Sequence, residues 1–271
     1  MTGQLHTRRP GRRAPLFVVI VASVGIAFFA LPLVGLLQRT PWSDLWSDLS
    51  SEQAREALRL SLVCSIWATG LAVVLGVPLA WLLARVDFVG RPLVRALVLL
   101  PLVVPPVVGG VALLFAFGRS GLVGEQLYDL FGIQLTFNTS GAILAETFVA
   151  MPFLVITVEA GLRSIDTRYE DAAATLGAGR WTTFRRVTLP FLAPSLVAGA
   201  ALAWARALGE FGATITFAGN IQGRTQTMPL AVYLELESNP ESAIALSLVL
   251  IAVSILVLVM LRDRWFPSPA A

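Results

Sequence analysis

Lysine is absent from the chain, and all 20 basic side chains are arginine. Without lysine there is no Walker A phosphate loop and no Schiff base to pyridoxal phosphate or retinal, so the chain does not hydrolyse ATP by itself. Histidine is nearly missing too: His6 is the only one and lies in the polar N-terminal tail. A Ser/His/Asp triad, a Cys/His dyad and an HExxH zinc site therefore each lack a member, which disfavours hydrolytic catalysis. Cys64 is the only cysteine and sits in an apolar run, so no intrachain disulfide forms and the residue reads as a small buried hydrophobe. Charge is scarce as well, at 14 % of residues against 56 % hydrophobic, a balance too apolar for a soluble globular domain. The arginines are dispersed between apolar runs instead of forming a basic stripe, so the net charge of +3 points to membrane orientation and not to nucleic acid.

A hydrocarbon core about 30 Å thick needs roughly 20 apolar residues of helix. Six such runs are present: 14–38, 60–84, 96–118, 142–158 with Glu146 inside it, 187–205 and 242–261. Six crossings predict an all-α integral membrane protein with both termini on one side. With the N-terminus in the cytoplasm, the inner segments 1–13, 85–95, 159–186 and 262–271 hold 4, 3, 5 and 2 Arg, against 6 in the outer segments. The positive-inside rule then places both termini in the cytoplasm. Arg8, Arg9, Arg12 and Arg13 precede a first run that is long and lacks a small-x-small cleavage site, so it reads as a retained helix with inside anchors. Between the first two spans, Asp44, Asp48, Glu52 and Glu56 recur every four residues beside Trp42, Trp46 and Leu49, which predicts an interfacial helix with a solvated acidic face or a docking face for an extracytoplasmic partner.

The longest inner loop, 159–186, is organised. Thr167 and Glu170 have capping-box spacing, Ala172 to Ala174 favour helix, and Gly177 and Gly179 supply a stop, so a helix of about two turns is predicted. Three alanines in its middle give a thin profile that permits close docking, although alanine is also simply the best helix former. From Asp171 the chain reads Asp-Ala-Ala, three residues, Gly177, nine residues, Val187, one residue, Leu189-Pro190. This resembles the EAA loop of the membrane subunits of binding-protein-dependent ABC importers, with Asp171 for the usual Glu and Val187 for Ile. The resemblance implies that Glu170, Asp171, Ala172, Ala173 and Gly177 form a coupling helix seated in a groove of a separate ATPase chain. ATP and Mg would belong to that chain, with no cofactor on this one.

Two further stretches narrow the resemblance. Residues 99–114 place three prolines and two glycines inside a span, where they break regular hydrogen bonding and either line a path or merely kink the helix. Residues 204–229, Ala-Arg-Ala-Leu-Gly-Glu-Phe-Gly and its continuation Ala213-Thr214-Ile215-Thr216-Phe217-Ala218-Gly219-Asn220, resemble the bacterial molybdate permeases. Sulfate permeases share the Ala-Arg-Ala-x-Gly-Glu-Phe-Gly core, and the continuation from Ala213 favours the molybdate branch. The resemblance covers roughly 58–262 and implies a type I ABC importer permease fold with coupling loop 159–186. Residues 1–57 hold the tail, first span and interfacial segment, and 263–271 form a short cytoplasmic tail. It further implies a homodimer in the bacterial cytoplasmic membrane, two copies of the ATPase and an extracytoplasmic molybdate-binding protein.

A tetrahedral dianion crossing a membrane is better served by neutral donors than by fixed cations that trap it. Thr214, Thr216, Asn220 and Thr227, with Thr225, could supply them, or could be ordinary polar residues of an outer loop. Arg206 and Glu210, four apart, predict a local ion pair. Glu146 is a functional suspect as an intramembrane carboxyl, or it reaches interfacial water near the end of its span. Sulfate or tungstate permeases are the nearest alternatives, and an ion-coupled carrier using Glu146 is a more distant one.

Overall fold

The computed structural model describes residues 15–265; the tail with His6, Arg8, Arg9, Arg12 and Arg13, and the residues after Trp265, lie outside them. Among the described residues the elements are helical and no strand occurs. α1 (Leu16–Gln38) has 23 residues, rising about 35 Å at 1.5 Å each, enough to span the hydrocarbon. It buries none of its residues, which suits a helix apolar on all sides with lipid as its solvent.

The acidic repeat between the first two spans is divided between two helices, α2 (Leu45–Ser50) and α3 (Glu52–Arg85). Ser51 is extended there, and its hydroxyl accepts a hydrogen bond from the Ala54 amide at 3.2 Å. An N-cap therefore breaks what the spacing predicts as one interfacial helix. α3 is 34 residues long and begins well before the predicted span at 60.

The third predicted span, 96–118, is corrected in the same way. It consists of α4 (Arg91–Val103) and α5 (Pro106–Phe117). Val104 precedes Pro105, and Pro105 precedes Pro106; both adopt ψ near the extended value, 133° and 135°, because a following proline ring excludes the helical region. Neither half is long enough to cross alone, and five helices among the described residues are long and apolar enough to do so.

After the short α6 (Gly124–Phe131), α7 (Thr139–Ser164) forms the centre of the bundle, packed against α3 and α10. Next come α8 (Arg168–Thr175), α9 (Arg180–Thr183), a π-helical turn Phe184–Thr188 and α10 (Leu189–Leu208); the last three run on as one continuous stretch. The chain closes with α11 (Gly212–Phe217), α12 (Met228–Ser238) and α13 (Pro240–Trp265).

Small residues make the central packing. α3 presents Ala68, Ala72, Gly76 and Ala80 at four-residue spacing, all buried, and α10 presents Gly199, Ala203 and Ala207. In lipid the hydrophobic effect does not drive helices together, so close backbone approach and dispersion take its place. At Gly76 an added Cβ would lie 2.9 Å from Leu154 Cδ2. Cys64 is fully buried among Ala142 and Ala218, as predicted. Glu146, by contrast, does not reach interfacial water: it is 1 % exposed, and its Oε2 has no hydrogen-bond partner.

Candidate functional site

The loop 159–186 folds into the predicted short helix, with a different start. Thr167 lies in helical conformation and its side chain caps nothing; Asp166 Oδ1 instead accepts from the Arg168 amide at 3.0 Å. The capping box fails because the Glu170 carboxylate is engaged elsewhere. The stop is as predicted: Gly177 has φ +82°, Ala178 N–H bonds Ala173 O at 3.0 Å and Gly177 N–H bonds Ala174 O at 2.9 Å. This is a Schellman motif, which needs the left-handed conformation that glycine takes without a Cβ penalty.

No residue of α8 is buried. Asp171, Ala172 and Gly177 are exposed and Ala173 is half-buried, and Leu176, just past the helix, is 88 % exposed. Two features hold α8 to the bundle. The Tyr169 ring stacks on Phe191 with centroids 5.2 Å apart. Glu170 Oε1 lies 3.4 Å from Arg85 Nη2 at the end of α3, and accepts from the buried Thr188 hydroxyl at 2.7 Å. Beside these contacts a cleft of about 740 Å³ separates Val77, Pro78 and Trp81 of α3 from Glu170, Asp171 and Ala174.

The neighbouring ends of α3, α4 and α7 are fastened by arginines. Glu159 pairs with Arg95 and, at 2.8 Å, with Arg163. Arg163 and Arg91 both donate to the carbonyl of Leu83, at 3.3 and 2.5 Å. These arginines thus close helix ends.

At the opposite end, the two stretches singled out by composition, 99–114 and 204–229, meet. α5 packs against α11 so closely that a Cβ on Gly110 would stand 2.7 Å from Thr216 Cβ, and one on Gly212 would stand 2.9 Å from Pro106 Cβ. Arg206 and Glu210 form the predicted ion pair at 2.6 Å, and Glu210 Oε1 also accepts from the Ala213 amide at 2.8 Å, at the start of α11. The segment that follows is not an ordinary outer loop, since Thr225, Gln226, Thr227 and Met228 are all buried. It is anchored by the Met228 amide, which donates to Ser61 Oγ of α3 at 2.7 Å.

The candidate donors divide into two groups. The Thr216 hydroxyl donates to Gly212 O at 2.7 Å and Thr225 Oγ1 accepts from the Ile221 amide at 2.9 Å, so both serve the local backbone. Thr214 Oγ1, Asn220 Oδ1 and Thr227 Oγ1 are buried without partners. No cluster of three His, Cys, Asp or Glu able to hold a metal occurs among the described residues.

Sequence reasoning missed Arg85, Thr188, Glu159, Arg95 and Arg163. The one available signal was position: Thr188 is the unspecified residue between Val187 and Leu189 in the loop motif, and Arg85 ends an apolar run.

A bundle of apolar helices around a small-residue core, with a span broken at its middle and a two-turn helix exposed at one end, defines a multi-pass membrane transport subunit. Residues 72–267 match the family of binding-protein-dependent transport system inner membrane components, and the chain belongs to that family. It is 48 % identical over 237 residues to the molybdenum transport system permease protein ModB of Mycobacterium tuberculosis, covering 87 % of this chain and 89 % of that one. ModB of Escherichia coli is 45 % identical over 182 residues, covering 66 % and 80 %. The sulfate transport system permease protein CysT of Escherichia coli is 38 % identical over 222 residues, covering 82 % and 78 %. Among solved structures, a bacterial ABC transporter involved in alginate import superposes with TM-score 0.72 at 21 % identity over 92 % of this chain and 93 % of that one, and the MetNI methionine transporter with TM-score 0.60 at 21 % over 78 % and 95 %. These establish the ABC importer permease fold. With its apolar helices and inner-membrane family, the chain is a multi-pass protein of the cytoplasmic membrane.

Proposed function

We propose that this chain is the permease subunit of an ATP-driven ABC importer that carries molybdate into the cytoplasm, working as a homodimer with two ATPase chains and an extracytoplasmic binding protein. The observation that carries the reading is α8, an exposed Asp-Ala-Ala helix closed by Gly177 on the end of a permease bundle. In this reading α4 and α5 together make the third of six crossings, and both termini are cytoplasmic. Asp171, Ala172, Ala173 and Gly177 meet the ATPase, with Glu170 beside them. ATP and Mg stay on that partner, and this chain makes and breaks no bonds.

Closure of the ATPase pair moves α8 and opens the path outward to receive the oxyanion; hydrolysis resets it. Thr214 and Thr227, with unpartnered hydroxyls able to donate, are the candidates to meet the anion; Asn220 could do so only through its amide nitrogen, since its unpartnered Oδ1 is an acceptor, and Thr216 stands at the α5 contact. Neutral groups suit a dianion that must also leave. Molybdate is favoured by the two ModB relatives at 45 and 48 % identity; sulfate remains the second reading because CysT reaches 38 % over a similar length.

The test is uptake of labelled molybdate in proteoliposomes holding this chain, its ATPase and its binding protein. Uptake that needs all three and is competed by tungstate alone supports the proposal. Competition by sulfate at similar concentration moves the substrate to sulfate. Uptake without the ATPase overturns the ABC reading and turns attention to the buried Glu146 as an ion-coupling residue.

A further inference from the structure

A helix that receives force from a partner must be connected to what it moves, and α8 has little connection. It buries no residue, and on the side facing α3 the cleft of about 740 Å³ leaves a gap where packing would otherwise transmit displacement. Close-packed interiors pass on small shifts because their atoms touch; a cleft does not. Across it, Glu170 alone among the residues of α8 is seen to make an ion pair with α3.

The geometry points to Glu170 as a positioning residue that ties α8 to the bundle: through Arg85 it holds the end of α3, and through Thr188 it holds the π-helical turn that leads into α10. This rests on the reading of α8 as the ATPase-coupling helix and divides its labour: Asp171, Ala172 and Gly177 are exposed with no side-chain tie to the bundle, Ala173 is half-buried, and Glu170 alone is tied to Arg85 and Thr188. One carboxylate oxygen makes both contacts, 3.4 Å to Arg85 Nη2 and 2.7 Å to Thr188 Oγ1. It therefore ties α8 to α3 and to the π-helical turn from one atom, beside the Tyr169–Phe191 stack that joins α8 to α10.

Two features mark this contact as one with a second arrangement. Arg85 Nε is buried without an acceptor, an uncommon state for a charged donor that calls for an explanation. A guanidinium binds a carboxylate side-on through Nε and one Nη; Nη2 already lies near Glu170 Oε1, so a modest approach of α8 toward α3 would complete the bidentate pair and narrow the cleft. Thr188 closes a π-helical turn, a rare geometry that is frequent at functional sites. Motion of α8 would thus tighten on α3 and pull on α10 from the same atom.

The experiment uses the complete transporter in proteoliposomes and reads molybdate taken up per ATP hydrolysed, together with ATPase retained on affinity-purified permease. Glu170→Gln and Arg85→Gln should each lower the ratio about tenfold with the ATPase still bound. The exchange of both charges, Glu170→Arg with Arg85→Glu, should regain several-fold over either single variant. Should a Gln variant fail to insert, Thr188→Val decides, with an expected loss of about threefold, and Glu170→Asp should fall between it and wild type.

Unchanged coupling in both Gln variants overturns the tie. Loss of coupling accompanied by release of the ATPase also overturns it, because Glu170 is then a contact with the partner, and the coupling-helix reading survives. Normal coupling in Asp171→Ala and Gly177→Val removes the coupling-helix reading itself, a separate result from failure of the tie.

Discussion

At the end of the molecule that carries α8, long polar side chains reach between helices: Glu170 to Arg85 and Thr188, and Glu159 to Arg95. At the end that carries α11, glycines bring backbones together with scarcely a side chain between them, as where Gly110 meets Thr216 and Gly212 meets Pro106. Both ends join helices from distant parts of the sequence, but they differ in how they yield. An ion pair between flexible side chains can lengthen or re-form at small cost, whereas a contact between backbones has no slack and moves as a body. An exposed end that can shift and a closed end that can only shift whole are what a protein needs to convert a push at one surface into a rearrangement at the other.

The comparison breaks most readily at Glu210. Its carboxylate is buried, neutralises Arg206 and accepts from the Ala213 amide. Glu210→Ala leaves both a cation and an amide without their partner, at an expected cost of about 3 kcal/mol. The thermal unfolding midpoint of the purified permease in detergent measures this, and an unchanged midpoint would show that the closed end does not depend on its ion pair. Gly110→Val comes next. The new side chain would begin 2.7 Å from Thr216 Cβ and 2.9 Å from the carbonyl of Ala213, and overpacking of this kind costs about 1–3 kcal/mol. Uptake should fall with stability here; a variant that melted normally and transported normally would mean that α5 and α11 separate without penalty.

What was legible beforehand follows the same division. The apolar runs, the α8 helix, its Gly177 stop, the burial of Cys64 and the Arg206–Glu210 pair are local, set by residues within one or two turns, and the sequence pattern carries such information. The break at Val104–Pro105 was half visible, because the prolines announced a disturbance but not two separate helices. What could not be read was the destination of a side chain whose partner is far along the chain. Glu170 has capping-box spacing, yet its carboxylate goes to Arg85 and Thr188, because a charge at a helix surface near an arginine gains more there than at its own N-terminus. The burial of Glu146 was hidden for the same reason, since only the packing of other helices around α7 closes water out.

Gly177→Ala sharpens the comparison at lower cost. Nothing lies within 4 Å of the added methyl, so the penalty is the φ of +82° alone, about 1 kcal/mol for a non-glycine residue. Because α8 is fastened only lightly, the loss should be confined to α8 and visible as faster amide exchange there, with the unfolding midpoint of the bundle nearly unmoved.

Asp171→Ala separates stability from function altogether. The side chain is exposed and makes no hydrogen bond or ion pair with the described residues through its carboxylate, so the variant should unfold within about 0.5 kcal/mol of wild type. Its neighbour Glu170 loses nothing, and the ties to Arg85 and Thr188 stay in place. If the outward face of α8 is where the ATPase seats, uptake per ATP should nonetheless fall or the ATPase should dissociate, a defect with no trace in the melting curve. The contrast with Glu210→Ala is then complete: at the closed end a lost carboxylate disturbs the fold first and transport as a consequence, and at the α8 end it disturbs transport alone. Asp171→Ala with wild-type coupling would move the docking surface away from α8 and leave that helix as an exposed connector between α7 and α10.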